Sequence, residues 1–299
     1  MAAEDNGGPF PPVRRLDPGD LRRCVALSVD RGWSPERAKW SMLLAAAEPF
    51  GVDAPDGRGL AGAVVLTRWG ADLASVGMML VAARYARRGL GRALMEHLLT
   101  EAGDATVTLF ATDQGRPLYE KLGFLSVRRS VSFAGAFRWS KREDNSKKSA
   151  ASAGRAGFTR PAVEADLPAI LAVDGAAFGA DRGTIISRLP GFAERIAVLQ
   201  AGQGITGYAS AWRNGPDTTV IGPVVAPDAD SATRLIADLA RQARGRVRLD
   251  LDPDRQVLPA WAHAHGLEPV ARTTIMVLGA GATRGFPERL FAPISVALA

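Results

Sequence analysis

The chain of 299 residues has one cysteine, Cys24, and three histidines, His97, His263 and His265. A lone cysteine closes no intramolecular disulfide and builds no thiolate zinc cage. Three scattered histidines do not make a metal centre either. Aromatic residues are only 7% of the chain. No apolar run approaches the ~20 residues that a membrane helix needs. Residues 1–15, MAAEDNGGPFPPVRR, lack the apolar core of a secretory signal. The expectation is a cytoplasmic protein, monomer or homodimer, with no metal and no membrane partner.

What is present is the balance of a folded protein: 47% hydrophobic and 23% charged residues. The length favours two domains over one core. The net charge of +6 is concentrated, because seven basic and two acidic residues fall between Arg138 and Arg160. Trp139 to Gly157 is rich in Ser, Ala, Gly and charge, and almost free of large apolar side chains. Such a segment cannot offset its ordering entropy by burial. With no aromatic beyond Trp139 it reads as a solvated tether, not as a nucleic-acid surface. The expected layout is a frayed tail over 1–12, a domain over 13–137, a basic linker over 138–157 and a second domain over 158–299.

Helices and strands alternate in both halves, which argues an α/β architecture. In the first, helices are expected from Pro18 to Asp30 and after Ser34-Pro35-Glu36, with Ser34 as N-cap and Pro35 at the first helical position. Glu48 falls at the end of that second helix. Strands follow over 62–68 and 75–81, then a helix over 89–102, a strand over 106–111, a helix over 116–122 and a strand over 124–134. The second half gives helices over 164–178 and 182–188, and strands over 195–200, 205–213 and 217–225. It closes with a helix over 229–243, a strand over 246–251, a helix over 256–264 and a strand over 268–279.

The order repeats, and so does the spacing. Gly62 and Gly77 bracket one strand pair, and Gly207 and Gly222 bracket its counterpart over the same interval. The following helices carry Ala93 and Ala232. The second copy is shorter there, by the piece equivalent to Tyr-Ala-Arg-Arg-Gly-Leu-Gly.

That piece is the informative one. Val81 leads into Arg84, Arg87, Arg88, Gly89, Leu90, Gly91 and Arg92: a strand, a basic glycine-containing turn and an amphipathic helix. Glycines admit backbone conformations closed to other residues, and free amides at a helix start bind phosphate oxygens. Further on, Leu118-Tyr119-Glu-Lys-Leu-Gly123-Phe124 joins a short helix to another strand.

The glycine turn followed by Ala-Leu-Met, and then by Leu-Tyr-Glu-Lys-Leu-Gly-Phe, resembles the Gcn5-related N-acetyltransferases (GNAT) over about residues 12–136. Gly222-Pro-Val-Val-Ala, Leu249-Asp-Leu-Asp-Pro and Thr-Thr-Ile-Met276-Val-Leu-Gly resemble the degenerate C-terminal domain of bacterial tandem members. The resemblance implies two tandem domains, each a mixed, mostly antiparallel twisted sheet flanked by helices. It implies acetyl-CoA as co-substrate, its pantetheine along Met79, Leu80 and Val81, its pyrophosphate on Arg87 to Arg92, and Thr112 nearby. Tyr119 takes the place of the tyrosine that protonates the departing thiolate. One position departs from the pattern: Ala86 stands where the family has Gln or Arg, and Arg84, Arg87 and Arg88 are the available charges.

The implied reaction is direct attack of a primary amine of a small molecule on the thioester in a ternary complex. Glu48 or Asp72 is a candidate base. Trp33, Tyr208, Trp212 and Asp250 are candidate substrate contacts, and Asp252 is a further polar group in that half. The second copy has Ala262 where the first has Tyr119, so it reads as a wall of a shared cleft. Two other readings stay open: an acyl-CoA-binding sensor or interaction module, and a protein-lysine or N-terminal acetyltransferase. Packing is the alternative role for Cys24, Met78, Trp33 and Trp40, and a structural or solvent-facing role for His263 and His265.

Overall fold

The computed structural model describes residues 10–139, 157–279, 285 and 287–298. Residues 1–9 of the expected tail and 140–156 of the expected linker lie outside the described residues.

The first half runs β1 (Arg14–Arg15), α1 (Leu21–Asp30), α2 (Arg37–Ala46), β2 (Glu48–Asp53), β3 (Leu60–Trp69) and β4 (Leu73–Val81). It continues with α3 (Leu90–Ala102), β5 (Thr106–Ala111), α4 (Arg116–Lys121) and β6 (Leu125–Gly135). The second half runs β7 (Phe158–Pro161), α5 (Leu167–Phe178), α6 (Gly183–Ile186), α7 (Leu189–Phe192), β8 (Arg195–Ala201) and β9 (Gly204–Arg213). It ends with β10 (Thr218–Val225), α8 (Ala229–Ala240), β11 (Arg246–Leu251), α9 (Val257–Ala264), β12 (Glu268–Leu278) and β13 (Leu290–Ala292).

The local causes are visible in the sequence. α3 buries Leu90, Leu94, Met95, Leu98 and Ala102, a stripe at helical spacing, and stops at Gly103 with φ 62°. β3 is buried at every position but Arg68, so it reads as a continuous apolar run instead of an alternating one.

Two expectations are corrected. Ser34 does not cap α2: the helix starts at Arg37 behind Glu36, which is left-handed at φ 35°. Glu36 is drawn inward by a 2.7 Å ion pair with Lys39. Glu48 does not end a helix: α2 stops at Ala46, and Glu48 opens β2, paired with Leu66 of β3.

One sheet passes through both halves, in the order β1-β2-β3-β4-β5-β12-β6-β11-β10-β9-β8-β7, with β13 added to β10. The strands cross over at the seam. β12 of the second half lies between β5 and β6, with Thr274 opposite Ala111 and Thr273 opposite Ser130. β6 of the first half lies between β12 and β11, with Val131 opposite Leu251. Each half therefore completes its sheet with a strand from the other. Among the described residues only β4–β5 and β10–β11 pair in parallel. These two pairs are equivalent across the seam.

Packing follows the exchange. One apolar cluster combines Trp40, Trp69, Met78, Leu94 and Tyr119 with Ile185, Tyr208 and Leu298. A second, under α8, gathers Val131 and Phe133 of β6 with Leu235, Leu249 and Leu258. Neither half buries its apolar surface alone.

Candidate active site

β4 and β5 pair only from Leu73–Thr106 to Val76–Leu109. Beyond Val76 the strand bulges: Ala63 and Val65 of β3 face Leu80 and Gly77, so β4 holds one extra residue. Met78, at φ 48°, absorbs it. On the side away from β3, no strand pairs with Met79, Leu80 or Val81 among the described residues. An open slot with free backbone donors and acceptors results.

The turn after β4 supplies the end of the slot. Arg87 and Gly89 take left-handed conformations, φ 61° and 82°, and α3 begins at Leu90. The first amides of a helix have no intrahelical partner, and the turn that leads into this one is exposed over residues 86–89. Gly89 is the N-cap, and it brings no side-chain hydrogen bond to the helix start. Arg87 and Arg88 are exposed, and Arg88 lies over the rings of Phe10 and Tyr85 at 5.1 and 5.8 Å. Arg92 pairs with Glu96 at 2.7 Å. Arg84 is drawn towards Asp56 and the Arg58 carbonyl and so faces away from the turn.

Three elements meet at Gly91. A Cβ there would stand 3.2 Å from Met79 Cε, 3.5 Å from Leu118 Cδ2 and 3.7 Å from Val81 Cγ2. The site thus brings together Met79 and Val81 of β4, the start of α3, and α4. Thr112 shapes the entry to α4: its carbonyl accepts from the Gly115 and Arg116 amides at 3.0 and 2.9 Å.

Tyr119 sits on α4, 7% exposed, with its ring 5.9 Å from that of Phe124. Its hydroxyl makes no hydrogen bond among the described residues. Burial pushes its pKa up to about 12, so it holds its proton across the physiological range. A protonated hydroxyl without a partner among the described residues, carried by a largely buried side chain next to Leu118, can donate a proton to a group within its reach.

The equivalent place in the second half is filled by the chain itself. β10 pairs with β11 only from Thr218 to Val220. Where the strands part, β13 takes the free edge, with Ala292 opposite Val224 and Leu290 opposite Val225. Only residues 226–228 separate β10 from α8, against 82–89 between β4 and α3. The start of α8 is capped by Asp228, whose carboxylate accepts from the Ser231 amide at 2.7 Å. A carboxylate in that position repels a phosphate. The absent loop and Ala262 were legible in the sequence; the filling of the slot was not.

The remaining candidates fall elsewhere. Asp72 is exposed and precedes the start of β4, where its carbonyl accepts from Thr106, whereas the slot opens at the other ends of β4 and β5. Glu48 accepts from Arg68 at 2.7 Å, and Arg68 also donates to the Glu101 carbonyl. Glu101 lies about 15 Å along α3 from Gly91. Neither carboxylate is brought together with Tyr119. Tyr208 is sealed and donates to Asp174 at 2.6 Å, while Asp174 also binds Arg182 in a buried pair. Trp212 donates to the Ile294 carbonyl at 3.1 Å. Asp250 accepts from Ser132 at 2.6 Å and from Arg248 at 2.9 Å. Asp252 lies 3.8 Å from both Arg128 and Arg255. Trp33 is 37% exposed on the turn before α2. Cys24 is fully buried, and burial pushes its thiol up to about 12. His263 pairs with Glu268, and His265 stacks against Trp261 at 4.1 Å.

Two models of the acetyltransferase (GNAT) domain match the chain, one over residues 41–137 and the other over 170–292, together more than half of it. YitH of Bacillus subtilis (strain 168), described as an uncharacterized N-acetyltransferase, is 32% identical over 191 residues. That match spans 62% of this chain and 63% of the relative, less than two thirds of its length. A solved structure from Pyrococcus horikoshii covers both chains in full at 18% identity with a TM-score of 0.78. A tandem GNAT protein from the clavulanic acid biosynthesis pathway superposes with a TM-score of 0.61 at 18% identity, over 91% of this chain and 99% of that one. The structural likenesses carry the fold.

Proposed function

Because the chain belongs to the GNAT family and carries two of its domains in tandem, we propose that it transfers an acetyl group from acetyl-CoA to a primary amine of a small molecule, using the first domain. The observation that carries this reading is the asymmetry of the two slots. The one beside Gly89 has an unpaired strand edge, with the protonated Tyr119 on the adjoining helix α4; its counterpart is filled by β13 and capped by Asp228.

The residues present fit the co-substrate. The free edge of Met79 to Val81 matches an amide-bearing pantetheine arm. The exposed amides of the α3 start and the Arg87 and Arg88 guanidiniums match a pyrophosphate. Gly91 leaves room between β4 and Leu118 that a side chain would take. Acetyl-CoA supplies an activated acetyl thioester. The chain aligns it, excludes bulk water and delivers a proton: the amine nitrogen bonds to the acetyl carbon, the carbon–sulfur bond breaks, the Tyr119 hydroxyl protonates the sulfur, and the proton shed by the nitrogen passes to solvent, from which the tyrosinate is reprotonated. No carboxylate is assigned as base.

Calorimetry tests the reading directly. The wild type should bind acetyl-CoA with a stoichiometry of one per chain, and a screen of primary amines should then release free thiol. A stoichiometry of two, or binding without release for any amine, would refute it.

A further inference from the structure

The segment from Pro287 to Leu298 ties the two slots together. Arg255 holds its beginning, donating to the carbonyls of Glu288 and Leu290, both at 3.0 Å, and to that of Pro287. β13 then lies along β10, and the Pro293 carbonyl fills the space above Gly222. Trp212 fixes the Ile294 carbonyl. A tight turn follows, with the Leu298 amide donating to the Ser295 carbonyl at 2.9 Å. The Ala297 carbonyl then fills the space above Gly77, the equivalent glycine in the first half. Ile294 and Leu298 are 0% and 1% exposed and belong to the cluster that holds Met78 and Tyr119.

The face of the sheet matters. A Cβ on Gly62 would meet Leu94 and Leu90, so Gly62 points at α3. Leu66, four residues on, shares that face, as does its partner Val76. Gly77 therefore points away from α3, towards the side where Ala297 and Leu298 lie. Helix α3 closes one face of the slot at this level. On the other face the residues over Gly77 are Ala297 and Leu298, while α1 packs on β3 and β4.

We propose that Ala297 and Leu298 are the acceptor-side wall of the first domain's slot and determine which amines reach the thioester. This rests on the coenzyme reading above. The wall admits a small amine past Gly77, turns away a bulky one, and keeps water off. Removing it exposes the thioester to hydrolysis: water oxygen bonds to the acetyl carbon, the carbon–sulfur bond breaks, and acetate, a proton and free thiol result.

The test compares the wild type, a chain ending at Ile294, and Leu298→Ala. Acetyl-CoA is first titrated into each by calorimetry, and thiol release is then followed with acetyl-CoA alone, with ethylamine and with tryptamine. The expected result is unchanged acetyl-CoA affinity within threefold. In the shortened chain, release without amine and the ratio of tryptamine to ethylamine kcat/KM should each rise at least tenfold. Leu298→Ala should move both in the same direction, and it decides the matter if the shortened chain loses its native circular dichroism. Retained binding with both readouts within twofold of wild type overturns the wall. Absence of acetyl-CoA binding in the wild type overturns the coenzyme reading, and the wall with it.

Discussion

Lys39 and Glu36 form a 2.7 Å ion pair with side chains only 3% and 6% exposed, and the Lys39 ammonium stands 5.0 Å from the centre of the Trp212 ring. α2 of the first half is thereby anchored on β9 of the second. Burial lowers the Lys39 pKa, with Glu36 opposing the shift. Removing one partner leaves the other charge buried, which costs about 3–5 kcal/mol. Glu36→Gln should lose stability of that order in urea unfolding at pH 7. Lys39→Met should cost as much, since it leaves the Glu36 carboxylate buried alone, whereas the double replacement Glu36→Gln/Lys39→Met should be close to neutral. A lysine with a lowered folded pKa binds fewer protons folded than unfolded, so its contribution rises as pH climbs from the folded value towards 10.5. Wild type should show that rise and Lys39→Met should not.

Acid should act through a feature that both halves share. Arg14 grips Asp20 at 2.8 and 2.7 Å, and Arg160 grips Asp166 at 2.6 and 2.8 Å, each across the same six-residue interval. Hydrogen bonds from these guanidiniums hold both carboxylates at a pKa of about 2. A depressed carboxylate stabilises the fold above its unfolded pKa of about 3.9, and the effect is lost as pH falls through the folded value. Wild type should therefore lose stability between pH 4 and pH 2. The double variant Asp20→Asn/Asp166→Asn should be less stable at pH 7 and flatter over that window.

The alternation of helices and strands was legible because α3 and α8 carry apolar stripes at helical spacing and the central strands are short, nearly continuous apolar runs between turn residues. The repeat and the glycine turn were legible because glycine spacing reflects backbone needs that few other residues meet. β2 was missed because Glu48-Pro-Phe-Gly begins with a charge and a proline. Ser34 failed as a cap because Glu36 and Lys39, a local pair buried against Trp212 of the other half, set the start of α2 at Arg37. The exchange of β6 and β12 leaves no local mark: a strand reads the same whichever half it completes. β13 was hidden because three residues, Leu290–Ala292, carry no period. The clasp Arg14–Asp20 and its copy Arg160–Asp166 did carry a readable signal, an Arg and an Asp at one spacing in both halves.

Tyr119→Phe removes a proton donor and little else, since the hydroxyl holds no other group and the ring still packs on Phe124. Loss of a general acid should lower kcat about 10²–10⁴-fold. The Kd for acetyl-CoA by calorimetry should stay within a few-fold. With a tyrosine pKa of about 12, the wild-type kcat profile should show no falling limb from this group below pH 10. A tenfold loss of acetyl-CoA affinity with kcat unchanged would instead mark Tyr119 as a packing residue.

Gly91→Trp should separate binding from folding. A large side chain there enters the space between Met79, Val81 and Leu118, three partly buried side chains at the edge of the core. Acetyl-CoA binding should fall at least a hundredfold, with the urea midpoint nearly unchanged. Undiminished binding would move the coenzyme out of this slot.

Gly77→Ala should report the contact with Ala297. The backbone of Gly77 lies outside the left-handed region, so alanine brings no dihedral strain, only a methyl group where the Ala297 carbonyl lies. That carbonyl belongs to backbone held by the Ser295–Leu298 turn, so it cannot rotate aside as a side chain would. Overpacking of this kind costs about 1–3 kcal/mol. In a chain ending at Ile294 the obstacle is gone, and the same substitution should cost less than about 0.5 kcal/mol, the scatter expected of independent sites. Urea unfolding of the four proteins in this cycle gives the coupling energy. Equal costs in both backgrounds would mean that the segment does not rest on Gly77 in solution.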